Sequence, residues 1–306
     1  MSRIGVIGAG VVGQATGKGL AHYGHKIVFC DANPARVEDL QQQGYFAVSP
    51  NDFIQHRNDA TMICVGTPTN AMEIDLSHLR SACQLTASIL QLTNEYHLVV
   101  VRSTLPPGTT QDLVIPLLEE GSGKLAGQDF GVCYNPEFLR EVSALDDFVT
   151  PWVIVLGAND TSSERAARQI YEPISSRLEM SVTVTNLRSA EMIKYAHNLY
   201  NATKISYTNE IWSVCQDLSI DGDLVMSTIS QSAEAMWNPN YGIKGGFPYG
   251  GSCLPKDTVA FLEFAEEHGL EMKLLDAVVQ VNEQMDLRNS NQDKSLGLVT
   301  LRMQGR

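Results

Sequence analysis

The chain has no Cys-x-x-Cys pair, no run of Lys or Arg, and no apolar stretch near the ~18 residues that cross a bilayer. Each absence removes a class of protein. The six cysteines, at 30, 64, 83, 133, 215 and 253, are scattered. Their spacing fits neither a disulfide framework nor a zinc site, so no metal is expected, and the expected location is the reducing cytoplasm. Lys and Arg total 22 against 35 Asp and Glu, a net charge of −13. A protein that tracks phosphates needs a concentrated basic face, so neither nucleic acid nor a membrane is an expected partner. No secretory leader is expected, because Met1-Ser2-Arg3 runs straight into Ile4-Gly5-Val6-Ile7. Internal repeats are missing too.

What is present is an ordinary globular balance, 43% hydrophobic and 19% charged over 306 residues. That length suggests about two domains. Short β-branched runs at Arg3–Ile7, Lys26–Cys30, Ala60–Val65, His97–Arg102 and Gly131–Tyr134 alternate with amphipathic stretches. One of these is Leu76–Leu92, behind the N-cap candidate Asp75. The alternation predicts an α/β fold, a doubly wound parallel sheet, with Val153–Leu156 as one more strand. From Leu187 the texture changes. Ser189–Leu218 has helical periodicity with no Pro or Gly, which predicts one long helix. Further helices are predicted at Leu224–Ser230, Lys256–His268 and Lys273–Leu287, and the polar tail from Arg288 is weakly patterned.

Gly8-Ala9-Gly10-Val11-Val12-Gly13 is a GxGxxG that follows a strand and opens a helix. Gly8 makes the tight turn, Gly10 lets the backbone approach a pyrophosphate, and Gly13 lets helix and strand pack closely. Backbone amides of the Val11-Val12 turn then face the phosphates. Asp31 ends the second strand, where a carboxylate accepts from ribose hydroxyls and repels a 2′-phosphate. NAD is therefore expected over NADP, with Arg36 close enough to complicate the preference.

Gly245-Gly246-Phe247-Pro248-Tyr249-Gly250-Gly251-Ser252-Cys253-Leu254-Pro255-Lys256-Asp257 is the most unusual segment. Its glycines allow close backbone approach, and Pro255 suits the first turn of a helix. Cys253 would stand at that helix N-terminus, where the dipole and Lys256 favour a nucleophilic thiolate. The other five cysteines sit on apolar elements and read as small buried residues. Lys194 and Asn198, spaced i, i+4, share one helix face that either holds an oxyanion or is simply solvated. Tyr134-Asn135-Pro136-Glu137-Phe138-Leu139-Arg140-Glu141 follows a strand. Its carboxylates suit proton transfer, although surface loop charges are the plainer reading.

These motifs converge. Together with Val65-Gly66-Thr67-Pro68-Thr69, Arg102-Ser103-Thr104-Leu105-Pro106-Pro107-Gly108-Thr109-Thr110 and Asn209-Glu210, they make the chain resemble the UDP-glucose/GDP-mannose 6-dehydrogenases. The resemblance runs from residue 1 to the region of 285. It implies a Rossmann-type NAD-binding domain over 1–186. It also implies an all-α domain over 187–306, whose long central helix forms a homodimer core. By resemblance, Cys253 captures an aldehyde as a thiohemiacetal, and a second hydride transfer gives a thioester that water hydrolyses. Lys194 and Asn198 match oxyanion-stabilising residues, and Thr104, Glu137 and Asp257 match groups that organise water and protons. Thr67 matches a residue beside the nicotinamide half, Glu141 one at the cofactor–substrate junction, and Thr104 and Lys256 are also assigned to the cofactor.

Three departures bear on the substrate. The family's third domain is expected to be absent after Arg306. Asn240 stands where the family usually has an Arg, and Trp152-Val153 replaces Asp-Arg. The expected function is NAD-dependent, four-electron oxidation of a primary alcohol to a carboxylate, on a nucleotide sugar. The alternatives are the same chemistry on a non-nucleotide or carrier-tethered alcohol, a two-electron hydroxyacid-type dehydrogenase, and a non-catalytic NAD-binding regulator.

Overall fold

The computed structural model describes residues 1–70, 73–251 and 253–287. The predicted tail from Arg288 lies outside the described residues. The chain divides into two compact units, Met1–Asn198 and Leu199–Arg306.

The first unit begins β1 (Arg3–Ile7), α1 (Val11–His22), β2 (Lys26–Cys30), α2 (Pro34–Gln42), β3 (Ala47–Val48), α3 (Pro50–Phe53) and β4 (Ala60–Ile63). A two-stranded hairpin of β5 (Thr69–Asn70) and β6 (Glu73–Ile74) leads to α4 (Ser77–Leu92) and β7 (His97–Val101). A π-helical turn, Thr110–Val114, runs into α5 (Ile115–Ser122) and then β8 (Phe130–Tyr134). A 3₁₀ turn at Glu141–Ser143, α6 (Ala144–Val149), β9 (Ile154–Gly157), α7 (Thr161–Arg177) and β10 (Val182–Thr185) follow.

The main sheet has the order β10-β9-β8-β7-β4-β1-β2-β3. It is parallel from β3 to β8. The doubly wound sheet is mixed at one place. Strand β9 meets β8 through a single antiparallel pair, Tyr134 opposite Gly157. Side chains alternate between two buried faces, as a covered parallel sheet requires. Val99 and Val101 join the cluster under α4 and α5, while Leu98 and Val100 join the one under α1 and α7.

Helix α8 (Leu187–Asp217) is the predicted long helix. The boundary between the two units falls inside it. The second unit continues with α9 (Gly222–Ser232), α10 (Glu234–Trp237), α11 (Leu254–Glu267) and α12 (273–287). Its buried core is small, built on Val214, Ala265 and Met272. Among the described residues, no helix is long and apolar enough to cross a membrane.

Candidate active site

The glycine turn takes the form its spacing implies. Gly8 has φ +91°, a conformation that L side chains rarely adopt. A Cβ on Gly13 would lie 1.7 Å from the Gly8 carbonyl oxygen, so only glycine lets α1 sit this close to β1. Gly10 is the N-cap of α1, makes no side-chain cap bond, and faces open space. The first-turn amides of Val11 and Val12 are thus presented at the positive end of a helix. Asp31 follows β2, with its side chain 8% exposed. Its Oδ2 accepts from the Ala9 amide at 2.6 Å and its Oδ1 from Asn33 at 2.8 Å. Arg36 Nη1 lies 3.5 Å from Oδ2, so this guanidinium is engaged with the carboxylate. Amides for a pyrophosphate and a carboxylate beyond them fit a dinucleotide.

Topology orders the rest. Strands β2, β1, β4 and β7 are neighbours, so their C-terminal ends set Asp31, the glycine turn, Thr67 and Thr104 in a row. The Thr67 hydroxyl donates to the Thr104 carbonyl at 2.9 Å, and Ser103 Oγ donates to Val65 O at 2.7 Å, which ties the two loops together. A cleft of about 240 Å³ opens there, lined among others by Gly10, Val11, Val12, Thr67, Arg102, Thr104 and Glu137. This is the crevice at which open α/β sheets bind ligands.

Glu137 is not a surface loop charge. Lys194, 5% exposed on α8, donates to the Glu137 carbonyl at 2.7 Å, and its Nζ lies 2.7 Å from Glu137 Oε1. Glu137 Oε2 accepts from the Leu139 amide at 2.8 Å. The ammonium also stands 5.7 Å from the Phe138 ring centroid. Lys194 therefore comes off an inward helix face, while Asn198, one turn on, is exposed. Glu141 opens the 3₁₀ turn and is exposed.

Two further buried groups of this unit stand outside the predicted site residues. Glu191, fully buried on α8, accepts from the amides of Gly108 at 2.5 Å and Thr110 at 2.7 Å. It clamps the loop after β7 to the helix, and its i, i+3 spacing from Lys194 was the available signal. Arg102, 4% exposed, opens the Arg102-Ser103-Thr104 segment after β7. Its Nη1 donates to Asn135 Oδ1 and, at 2.9 Å, to the Tyr171 hydroxyl.

In the second unit Cys253 is the N-cap of α11, and Pro255 occupies the first turn. The approaching loop bends at Gly246 (φ +98°) and Gly251 (φ +82°). It is anchored where Asn282 of α12 accepts from the Tyr249 amide at 2.7 Å and donates to the Tyr249 carbonyl at 3.2 Å. Glu210 of α8 accepts from the amides of Leu274 and Leu275 at the start of α12. Cys253 is exposed, whereas Cys30, Cys64, Cys83, Cys133 and Cys215 are all buried. Burial pushes the Cys64 thiol up to about 11 and Cys30, Cys83 and Cys133 up to about 12, which keeps them protonated and inert. Lys256 differs from expectation in one respect. Its ammonium pairs with the adjacent Asp257 carboxylate at 2.7 Å, both side chains being well exposed. A carboxylate one residue away competes for the cation expected at the thiol.

The sequence matches the UDP-glucose/GDP-mannose dehydrogenase family, NAD binding domain, over residues 48–175, and the central domain of that family over 188–284. Residues 3–90 also match a family described as NADP oxidoreductase, coenzyme F420-dependent. A GDP-mannose 6-dehydrogenase of Pseudomonas putida is 34% identical over 302 residues, covering 92% of this chain and 68% of that protein. A UDP-glucose 6-dehydrogenase of Haloferax volcanii is 33% identical over 300 residues, covering 92% and 69%. Among solved structures, a ternary complex of GDP-mannose dehydrogenase from Pseudomonas aeruginosa superposes with a TM-score of 0.86 at 33% identity, over 94% of this chain and 71% of that one. A UDP-glucose dehydrogenase from Pyrobaculum islandicum gives 0.70 at 36% identity, over 97% and 72%.

Proposed function

We propose a function from one premise: the chain belongs to the UDP-glucose/GDP-mannose dehydrogenase family. It is an NAD-dependent alcohol oxidoreductase. The relatives are named for nucleotide sugars, GDP-mannose and UDP-glucose. The reading for this chain is oxidation of a nucleotide sugar's primary alcohol to the carboxylate in two steps.

The observation that carries it is the placement of Cys253: one exposed thiol at a helix N-cap, behind a glycine-rich loop, in a chain whose other thiols are buried. NAD, when bound, accepts a hydride from the carbinol carbon at each oxidation. The chain's own groups handle the rest. In the first step the alcohol O–H gives up its proton to a water or carboxylate organised by Thr104, Glu137 and Asp257. The Lys194 ammonium and the Asn198 amide stabilise negative charge on the substrate oxygen. The Cys253 thiolate then adds to the aldehyde carbon, forming a C–S bond, and the oxygen takes a proton. This tether keeps the aldehyde from diffusing away. The second oxidation leaves a thioester, whose C–S bond water cleaves to release carboxylate and return the thiol. On the cofactor side, Gly8, Gly10, Gly13 and Asp31 bind the adenosine diphosphate half, Thr67 lies beside the nicotinamide half, and Glu141 stands at the cofactor–substrate junction.

The test is stoichiometry. Two NADH should form per carboxylate, and iodoacetamide should inactivate the enzyme with protection by substrate. Cys253→Ser should still bind NAD but stall at or after the first hydride transfer, with aldehyde detectable. A serine variant with full turnover to the acid refutes the covalent route and favours a two-electron dehydrogenase.

A further inference from the structure

We propose that Arg102 tunes the cofactor's electron affinity, destabilising oxidised NAD relative to NADH by a buried, uncompensated positive charge under the nicotinamide half of the cleft. Arg102 is 4% exposed, yet among the described residues no carboxylate oxygen lies within ion-pair distance of its guanidinium. Its hydrogen-bond partners, Asn135 and Tyr171, are neutral. Among the described residues its Nε has no hydrogen-bond partner, and its Cζ stands 5.4 Å from the Phe148 ring centroid. Burying a cation without a counter-charge is costly, so the arrangement calls for a reason.

The other charges beside it are already neutralised. Arg102 lines both the cofactor cleft and a second, smaller cavity. Among the described residues, the other charged residues lining these spaces are Glu137 and Asp147. Glu137 is paired with Lys194 and Asp147 with Arg140, each at 2.7 Å. The net local charge is that of Arg102.

Strand order says which half of the cofactor feels it. Asp31 follows β2, the phosphate turn follows β1, and Arg102 follows β7, two strands beyond β1 on the side away from Asp31. Two strand spacings are about 10 Å. The ribose carboxylate and the pyrophosphate amides therefore occupy one end of the row, and the nicotinamide half extends towards Arg102. The oxidised ring carries a positive charge and the reduced ring carries none. A fixed cation nearby raises the energy of the oxidised form alone, so it favours hydride acceptance.

Calorimetry on the full chain, with NAD⁺ and NADH as probes, tests this without any sugar substrate. The quantity read is the ratio of the two affinities. Arg102→Lys should keep the wild-type ratio. Arg102→Gln should shift it towards NAD⁺ by roughly three- to tenfold, the size expected for one charge at this range in a partly solvated site. Asn135→Asp should give a shift of the same sign, because it sets a carboxylate against the guanidinium and leaves the arginine in place. That variant decides the matter if Arg102→Gln does not fold. If both affinities fall together and the ratio stays at the wild-type value, the charge serves the pyrophosphate and the proposal is wrong.

Discussion

Gly13 shows how little freedom single positions have in this site. A methyl group there meets the Gly8 carbonyl oxygen at 1.7 Å and carbon at 2.9 Å, and backbone atoms cannot swing aside. Gly13→Ala must push α1 off β1. The expected cost is about 3 kcal/mol, the upper end for overpacking, read as a lower urea midpoint. NAD affinity should fall with it, because the amides of Val11 and Val12 move. An alanine variant with the wild-type midpoint and wild-type NAD affinity would contradict this packing. The turn built on Gly8, Gly10 and Gly13, with Asp31 beyond it, was legible in the sequence because the motif is local: four residues within one strand–turn–helix–strand unit. The burial and hydrogen bonding of Arg102 and Glu191 were not legible. Arg102 bonds partners 33 and 69 residues away, and Glu191 bonds amides 81 and 83 residues away, so only the fold reveals them. Glu137 shows the same limit, since its loop position suggested solvent and Lys194, 57 residues on, buries it.

At the level of elements, β7 carries a built-in sensitivity to acid. His97, its first residue, is 1% exposed. Its Nδ1 lies 3.0 Å from the Asn58 carbonyl, which can only accept, so that nitrogen holds the proton. Nε2 then accepts from the Thr61 hydroxyl at 2.9 Å. Burial lowers the ring's pKa from 6.5 to about 4. The sign follows from which state binds the proton. Below pH 6.5 the unfolded chain takes it up and the native chain does not, so stability is full above pH 6.5 and declines as pH falls towards 4. The loss is on the order of 3 kcal/mol over the window. Urea unfolding at pH 7.5 and pH 5 should show this decline, and His97→Gln should flatten it. An equal decline in the variant would place the sensitivity elsewhere, for instance at His25, which burial also lowers. The longer elements matched their patterns to within a few residues. Among the strands, those missed are β3, β10 and the hairpin β5–β6, and among the helices α2, α5 and the 17-residue α7 were given no bounds. Helix α4 starts at Ser77, with Leu76 at the N-cap. Asp75 instead accepts from the Ser77 amide at 2.8 Å, a local turn bond that competes with capping.

For the molecule as a whole, the contrast lies in how well each unit covers its apolar surface. The first unit closes two large clusters on either side of its sheet. The second buries few residues completely. Along α8 beyond residue 198, Leu199, Tyr200, Ile205 and Trp212 are between 44% and 61% exposed. Leu224 and Ile220 add to the uncovered surface at 63% and 46%. A change of texture near Leu187 announced a helical part in the sequence, but not where compactness would divide the chain, because an unbroken helix carries no punctuation at residue 198. Apolar positions on several sides of one helix exceed what a scatter of lone surface residues explains, and such patches mark interfaces. A homodimer built on α8 is the expected state. Light scattering at micromolar concentration should give about twice the chain mass of 33.6 kDa. Ile205→Asp puts a charge on that face and should shift the population towards monomer, while the cofactor turn of the first unit still binds NAD. A wild-type chain that stays monomeric at these concentrations, or an Ile205→Asp variant that stays fully dimeric, would remove α8 from the interface.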